Sequence, residues 1–207
     1  MSDVITFAAE LKKQFPQKLP PVNLWNPPLS GDIDIRIAMD GKWFHEGVEI
    51  RRDTLVKLFS SILKKEEDEY YLVTPVEKWK IQVDCAPFVI VSCELMKNGG
   101  ADKVRSNYKT GELSPVLCLT TNSDDKVFVD SEHPIWVEKV EGVKEELFPF
   151  VIVRDNLKGL INRNVYYQLV DIALDNQLEE EGSQEEIFIV SGLERFSLSP
   201  RTCDSKP

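Results

Sequence analysis

The sequence runs to 207 residues, 42% hydrophobic and 29% charged, enough for one domain or two small ones whose core needs no disulfide or metal staple. Its net charge of −10, with Lys and Arg nowhere gathered into a stripe, excludes the broad basic footprint that holds nucleic acid. No segment reaches the ~18 apolar residues of a membrane-crossing helix, so neither nucleic acid nor membrane is an expected partner.

The opening MSDVITFAAELKKQFPQKLPP has no basic stretch ahead of an apolar core, so it is not expected to act as a secretory leader. Val4, Ile5, Phe7, Ala8, Leu11 and Phe15 recur at helical spacing and predict a short amphipathic helix docked on the body of the fold. PPVNLWNPPLSGD, with four prolines, predicts an extended strap pinned by Leu24 and Trp25. IDIRIAM-DG-KWFHEG predicts a hairpin with Asp40-Gly41 in a type I′ turn. RRDTLVKLFSSILKKEED reads as a helix, with Leu55, Val56, Leu58, Phe59, Ile62 and Leu63 on one face and Asp53 or Thr54 as the cap. YYLVTPVEKWKIQVD returns as strand, where Pro75 predicts a bulge or an edge.

From residue 86 the pattern is strongly β: APFVIVSCELM, SPVLCLTT, KVFVD, PIWVEKV and FPFVIVRD, separated by NGG at 98–100, KTGE at 109–112 and NSDD at 122–125. Such a series predicts a curled antiparallel sheet or partly open barrel. INRNVYYQLVDIALDN then reads as a second helix and EEIFIVSGLERFSL as a final strand, before a tail, SPRTCDSKP, that reads as disordered. The acidic runs KKEEDE and EEEGSQEE read as solvated loops. Cysteines at 85, 93, 118 and 203 and histidines at 45 and 133 supply no spacing that would bring four ligands to zinc, so no metal or cofactor is expected. Cys93 and Cys118 sit in apolar strand patterns as small hydrophobes, and a reducing cytoplasm is the expected compartment.

Two segments repeat. VTPVEKWKI at 73–81 aligns with VSGLERFSL at 190–198, and IRRDTLVKLFSSIL at 50–63 aligns without a gap with INRNVYYQLVDIAL at 161–174. The helices are offset by 111 residues and the strands by 117, so the second copy carries six extra residues in its helix–strand loop. RIAMDG at 36–41 and VIVRDN at 151–156 extend the match backwards. The expected fold is therefore α+β: a duplicated β–helix–β unit, its second copy enlarged by an antiparallel sheet or partly open barrel. The expected division is an N-terminal helix and strap over 1–30, a small α+β domain over 31–84, a β-rich domain closed by a helix over 85–199, and a tail over 200–207.

DIDIRIAMDGKWFHEGVEIRRDTLVKLFSSIL, LVTPVEK, DCAPF, the TN at 121–122 and VYYQLV resemble a bacterial family labelled only as domain of unknown function 1285, over about residues 22–196. The resemblance implies a duplicated core whose second domain is superficially like a pleckstrin-homology fold. It also implies a role in signal transduction, with a nucleotide-like ligand bound between the domains.

Arg52 and Arg163 are the leading candidate ligand contacts. Each falls at a helix start, where a cation is disfavoured unless it pairs with an acid such as Glu49 or Asp53 or helps the helix hold an anion. His45, beside a turn, is a candidate contact or general base, but no nucleophile motif accompanies it. Lys78 is a further candidate anion contact, on the resemblance as much as on its chemistry, and Tyr167 a candidate pocket wall, with Tyr166 favoured for the core. No phosphate-binding loop is present. The expected function is non-catalytic binding of a small anionic, nucleotide-like ligand in an interdomain cleft. The alternatives are a protein-interaction adaptor using the pleckstrin-like surface, with a protein partner, and a hydrolase built on His45.

Overall fold

The computed structural model describes residues 19–96, 115–140, 147–177 and 186–199. The expected N-terminal helix, the NGG and KTGE breaks, most of EEEGSQEE and the tail over 200–207 lie outside the described residues. The chain divides into two compact units between Pro87 and Phe88.

In the first unit, Pro20 and Pro21 lead into a single 3-10 turn, Val22–Leu24. Val22 is buried against Tyr71 and Val73, with Trp25 packed on the same cluster. Leu24 is 78% exposed, so Val22 takes the place expected of Leu24 beside Trp25; the tight turn rotates Leu24 outward. Strands β1 (Leu29–Ile37) and β2 (Trp43–His45) form the expected hairpin, followed by β3 (Val48–Glu49). Its turn is not type I′. The Gly41 N–H bonds to Ala38 O and Ala38 N–H to Lys42 O, and of the Asp40-Gly41 pair only Gly41 has positive φ, at 82°. That is a three-residue loop ending in a left-handed glycine, whose geometry spares Asp40 a strained backbone.

Helix α1 spans Asp53–Ser61, shorter than the apolar pattern predicts. The Ser60 and Ser61 hydroxyls donate back to the carbonyls of Val56 and Leu58, a local bond that competes with continuing the helix. Leu63–Glu66 then becomes β4, paired with β5 (Glu69–Val73) around a Glu67-Asp68 turn, so KKEEDE is a hairpin rather than a loop. Pro75 marks neither bulge nor edge. It sits in the turn from β5 to β6 (Lys78–Val83), where Thr74 N–H bonds to Glu77 O and Glu77 N–H to Thr74 Oγ1. The sheet order is β3-β2-β1-β6-β5-β4, with β1 and β6 parallel. Trp43, 6.0 Å from the Phe59 ring and stacked on it, ties α1 to a core with Ile37, Ile62 and Leu72.

The second unit contains β7 (Phe88–Met96), β8 (Val116–Thr121), β9 (Lys126–Phe128), β10 (Ile135–Lys139), β11 (Leu147–Arg154) and β12 (Leu157–Ile161). They form a half-barrel sheet in the order β10-β11-β12-β7-β8-β9, in which only the β7–β12 pair is parallel. Helix α2 (Arg163–Gln177) buries Val165, Leu169 and Ala173, one face at a spacing of four. The expected final strand is a hairpin, β13 (Phe188–Ser191) and β14 (Glu194–Ser197), turning at Gly192 with φ 61°. The buried Ser191 hydroxyl accepts the Leu117 N–H at 3.0 Å and donates to Val129 O at 2.6 Å. It thus completes the seam between β8 and the chain after β9, where Val129 N–H already bonds to Leu117 O.

The fold is α+β, and hairpin, helix, hairpin recur in the same order: β1–β2, α1, β5–β6 and β11–β12, α2, β13–β14. Pairing differs. In the first unit the last hairpin joins the main sheet through β1 and β6, whereas β13–β14 forms its own two-stranded sheet.

Candidate functional site

In the antiparallel β11–β12 pair Phe150 faces Leu160, which sets Pro149 beside Ile161 and Phe148 beside Asn162, where β12 passes into α2. A groove of about 280 Å³ opens there. Its apolar wall comes from Leu147, Phe148 and Pro149 on β11 and Leu160 and Ile161 on β12. Asn162, Arg163, Tyr166 and Tyr167 complete it.

Asn162 caps α2: its side-chain Oδ1 accepts the Val165 N–H at 2.8 Å and its carbonyl the Tyr166 N–H at 2.9 Å. The carboxamide nitrogen of Asn162 and the backbone N–H groups of Arg163 and Asn164 have no acceptor among the described residues. Arg163 is exposed and forms no ion pair among the described residues. Tyr166 donates its hydroxyl to Leu198 O at 2.8 Å, and burial raises its phenol above the usual range. Tyr167 is 57% exposed, its ring 6.4 Å from that of Tyr166 and tilted by 44°. None of the nine lining residues among those described is acidic, although the chain has 35 Asp and Glu. The groove therefore presents donors and one cation against an apolar wall.

Of the five candidate residues, the groove brings together Arg163 and Tyr167. Arg52, in the other unit, occupies the N-cap position of α1, exposed and without a side-chain cap bond. His45 lies on β2 opposite Ile35, with Glu46 Oε1 3.9 Å from its ring nitrogen. Lys78 lies opposite Leu29, six residues along β1 from Ile35 and so about 20 Å away. Its ammonium is engaged: it donates to Glu66 Oε2 at 2.7 Å and sits 4.9 Å from the Tyr71 ring centre. That bond holds the Glu66 carboxyl below its ordinary 4.5.

Tyr166 is in part a groove residue, not solely core, because its ring spans both surfaces. Asn162 and the β11 segment 147–149 were not singled out by sequence reasoning. An asparagine directly ahead of an amphipathic run was the available sign for the cap. Among the described residues no three His, Cys, Asp or Glu side chains converge on a metal position, and no helix is long and apolar enough to cross a membrane.

The architecture defines a class of two-unit α+β protein with a repeated hairpin–helix–hairpin. Two family profiles match: the N-terminal domain of the domain of unknown function DUF1285 over residues 20–86, and the C-terminal domain of the protein of unknown function DUF1285 over 103–198. A crystal structure of a DUF1285 family protein from Silicibacter pomeroyi is 40% identical, with TM-score 0.71 and 89% of each chain covered. Another, from Shewanella baltica, is 26% identical with TM-score 0.46, covering 66% of this chain and 90% of that one. No curated protein matches the chain. The chain belongs to the DUF1285 family.

Proposed function

We propose that this is a non-catalytic ligand-binding protein whose ligand is a small anion seated in the groove where β12 passes into α2. The observation that carries the reading is Arg163: a cation at a helix start, free of acids among the described residues, on the wall of a groove whose described lining holds no carboxylate. A cation placed against the helix dipole is a local cost that an anion reverses, because guanidinium and unpaired N–H groups then act on the same charge. The role in signal transduction implied by the family resemblance fits such a binding protein and belongs to the same proposal.

Thermal unfolding followed through the four tryptophans tests it. A ligand at ~100 times its Kd adds about 2.7 kcal/mol, a shift of a few degrees for a chain of this size. The expected result is such a shift with one class of anion, lost in Arg163→Ala. No Arg163-dependent shift across phosphates, sulfates and carboxylates would overturn the reading.

A protein-interaction adaptor is the second reading, supported by Tyr167 and Leu174 (44% exposed), seven residues apart on one flank of α2. A protein that co-elutes with the wild type and is lost with Leu174→Lys is its signature.

A further inference from the structure

We infer that the ligand of this groove is a monocarboxylate with an apolar body, and not a polyphosphate nucleotide. The inference rests on the reading of the groove as an anion site and narrows its chemistry.

Charge decides the first half. Among the described residues the lining supplies one cationic side chain, Arg163, and its other free polar groups are neutral donors: the Asn162 carboxamide nitrogen and the Tyr167 hydroxyl, neither with a partner there. One guanidinium matches one carboxylate, whose two oxygens meet its planar fork in two parallel hydrogen bonds. A triphosphate would bring three or four charges to that single cation, in a chain whose own net charge is −10. The chain also has no glycine-rich phosphate loop to make up the difference.

Size and surface decide the second half. The groove, about 280 Å³, is on the scale of a short acyl chain or one aromatic ring with a carboxylate arm. The wall opposite Arg163 offers Leu147, Phe148, Pro149, Leu160 and Ile161, which give a sugar hydroxyl nothing to bond and gain from covering methylenes or a ring. The tilted rings of Tyr166 and Tyr167 add aromatic edges at the mouth.

Titration calorimetry on the full chain tests this with octanoate and 3-phenylpropanoate as ligands, 1-octanol as the uncharged counterpart of octanoate, and ATP and inorganic phosphate as competitors. Arg163 and Tyr167 are exposed, so Arg163→Gln and Tyr167→Ala leave the core intact. The expected result is binding of at least one carboxylate, weakened tenfold or more in Arg163→Gln and less in Tyr167→Ala, with 1-octanol weaker and no competition by ATP. The tighter of the two acids tells whether the apolar body is acyl or aryl. Carboxylate binding unchanged in Arg163→Gln would overturn the inference, as would 1-octanol binding as tightly as octanoate. Arg163-dependent binding of phosphate or ATP without either carboxylate would overturn the chemical class while leaving the anion site standing. No binding by any of the probes would overturn both.

Discussion

In the first unit α1 begins at Asp53 behind Arg52, whose side chain caps nothing; in the second, α2 begins at Arg163 behind Asn162, whose carboxamide oxygen accepts the Val165 N–H at 2.8 Å. The aligned arginines therefore stand one step apart in their helices. The capping asparagine lets α2 start a residue earlier and moves its arginine from the cap position into the first turn, on the wall of the groove. In α1 the arginine occupies the cap itself, and Asp53 supplies the negative charge that the helix start favours. The second copy separates stabilising the helix from presenting a cation, and the first leaves one residue in both places.

The turns of the repeat show the same divergence. Thr74 and Ser191 are both buried hydroxyl residues at equivalent places. Thr74 Oγ1 serves its own four-residue turn, whereas Ser191 reaches across to Leu117 and Val129. Ser191→Ala is thus the largest expected effect. It leaves a buried N–H and a buried carbonyl without partners and should cost about 2–6 kcal/mol in urea unfolding, at about 1–3 kcal/mol per orphaned group. Thr74→Val should cost only about 1 kcal/mol, because the Thr74 N–H to Glu77 O bond survives. Equal losses would erase the distinction between the two hairpins.

Next come the helix starts themselves. Asn162→Ala should lose about 1 kcal/mol, the value of one cap, while Arg52→Asn should gain about 0.5–1 kcal/mol by supplying one. The backbone of Arg52, φ −85° and ψ 98°, already has the extended shape an N-cap needs. A loss of stability in Arg52→Asn would show that Arg52 holds something the described contacts do not reveal.

The smallest effect concerns pH. Glu66, held below its ordinary 4.5 by the hydrogen bond from Lys78 and then by Lys64, stabilises the first unit fully above 4.5. That contribution fades as pH falls through the lowered folded value. Replacing Glu66 by Gln should flatten the loss of stability on the acid side of 4.5 and leave its neutral-pH slope unchanged. With Glu66 partly solvated, the change is a small one.

Much of this architecture is legible in the residues, because periodicity reports burial. Val165, Leu169 and Ala173 mark α2 in the sequence as plainly as in the fold, whereas the two aligned ends, each of which reads as one strand, are hairpins turning beside Pro75 and at Gly192. The apolar pattern overstates helix α1 because Ile62 and Leu63 fit a helical face and a strand equally well, and the serines that end the helix act through side-chain bonds that periodicity does not register. Strand β12 is not legible in the sequence because Gly159 interrupts its pattern; a Cβ there would come within 2.9 Å of Val153 Cγ2, so the glycine reflects a close approach across the sheet rather than a turn. At the groove, Arg163 and Tyr167 could be singled out from charge and spacing on one helix, but the wall from Leu147 to Pro149 is brought there by strand register, which a local pattern does not carry.

The Ser191 bridge also sets a schedule. Leu117 and Ser191 are 74 residues apart in sequence. A ribosome adding about 5–20 residues per second needs roughly 4–15 s to make that stretch. For the last 62 residues of it, from Val129 onward, the seam between β8 and the chain after β9 has its strands but not the hydroxyl that completes it. The strands of the first unit are all synthesised by Val83, so that unit is free to fold while the second waits. A chain arrested before Ser191 would carry a finished first unit and a second one whose seam lacks its hydroxyl bridge.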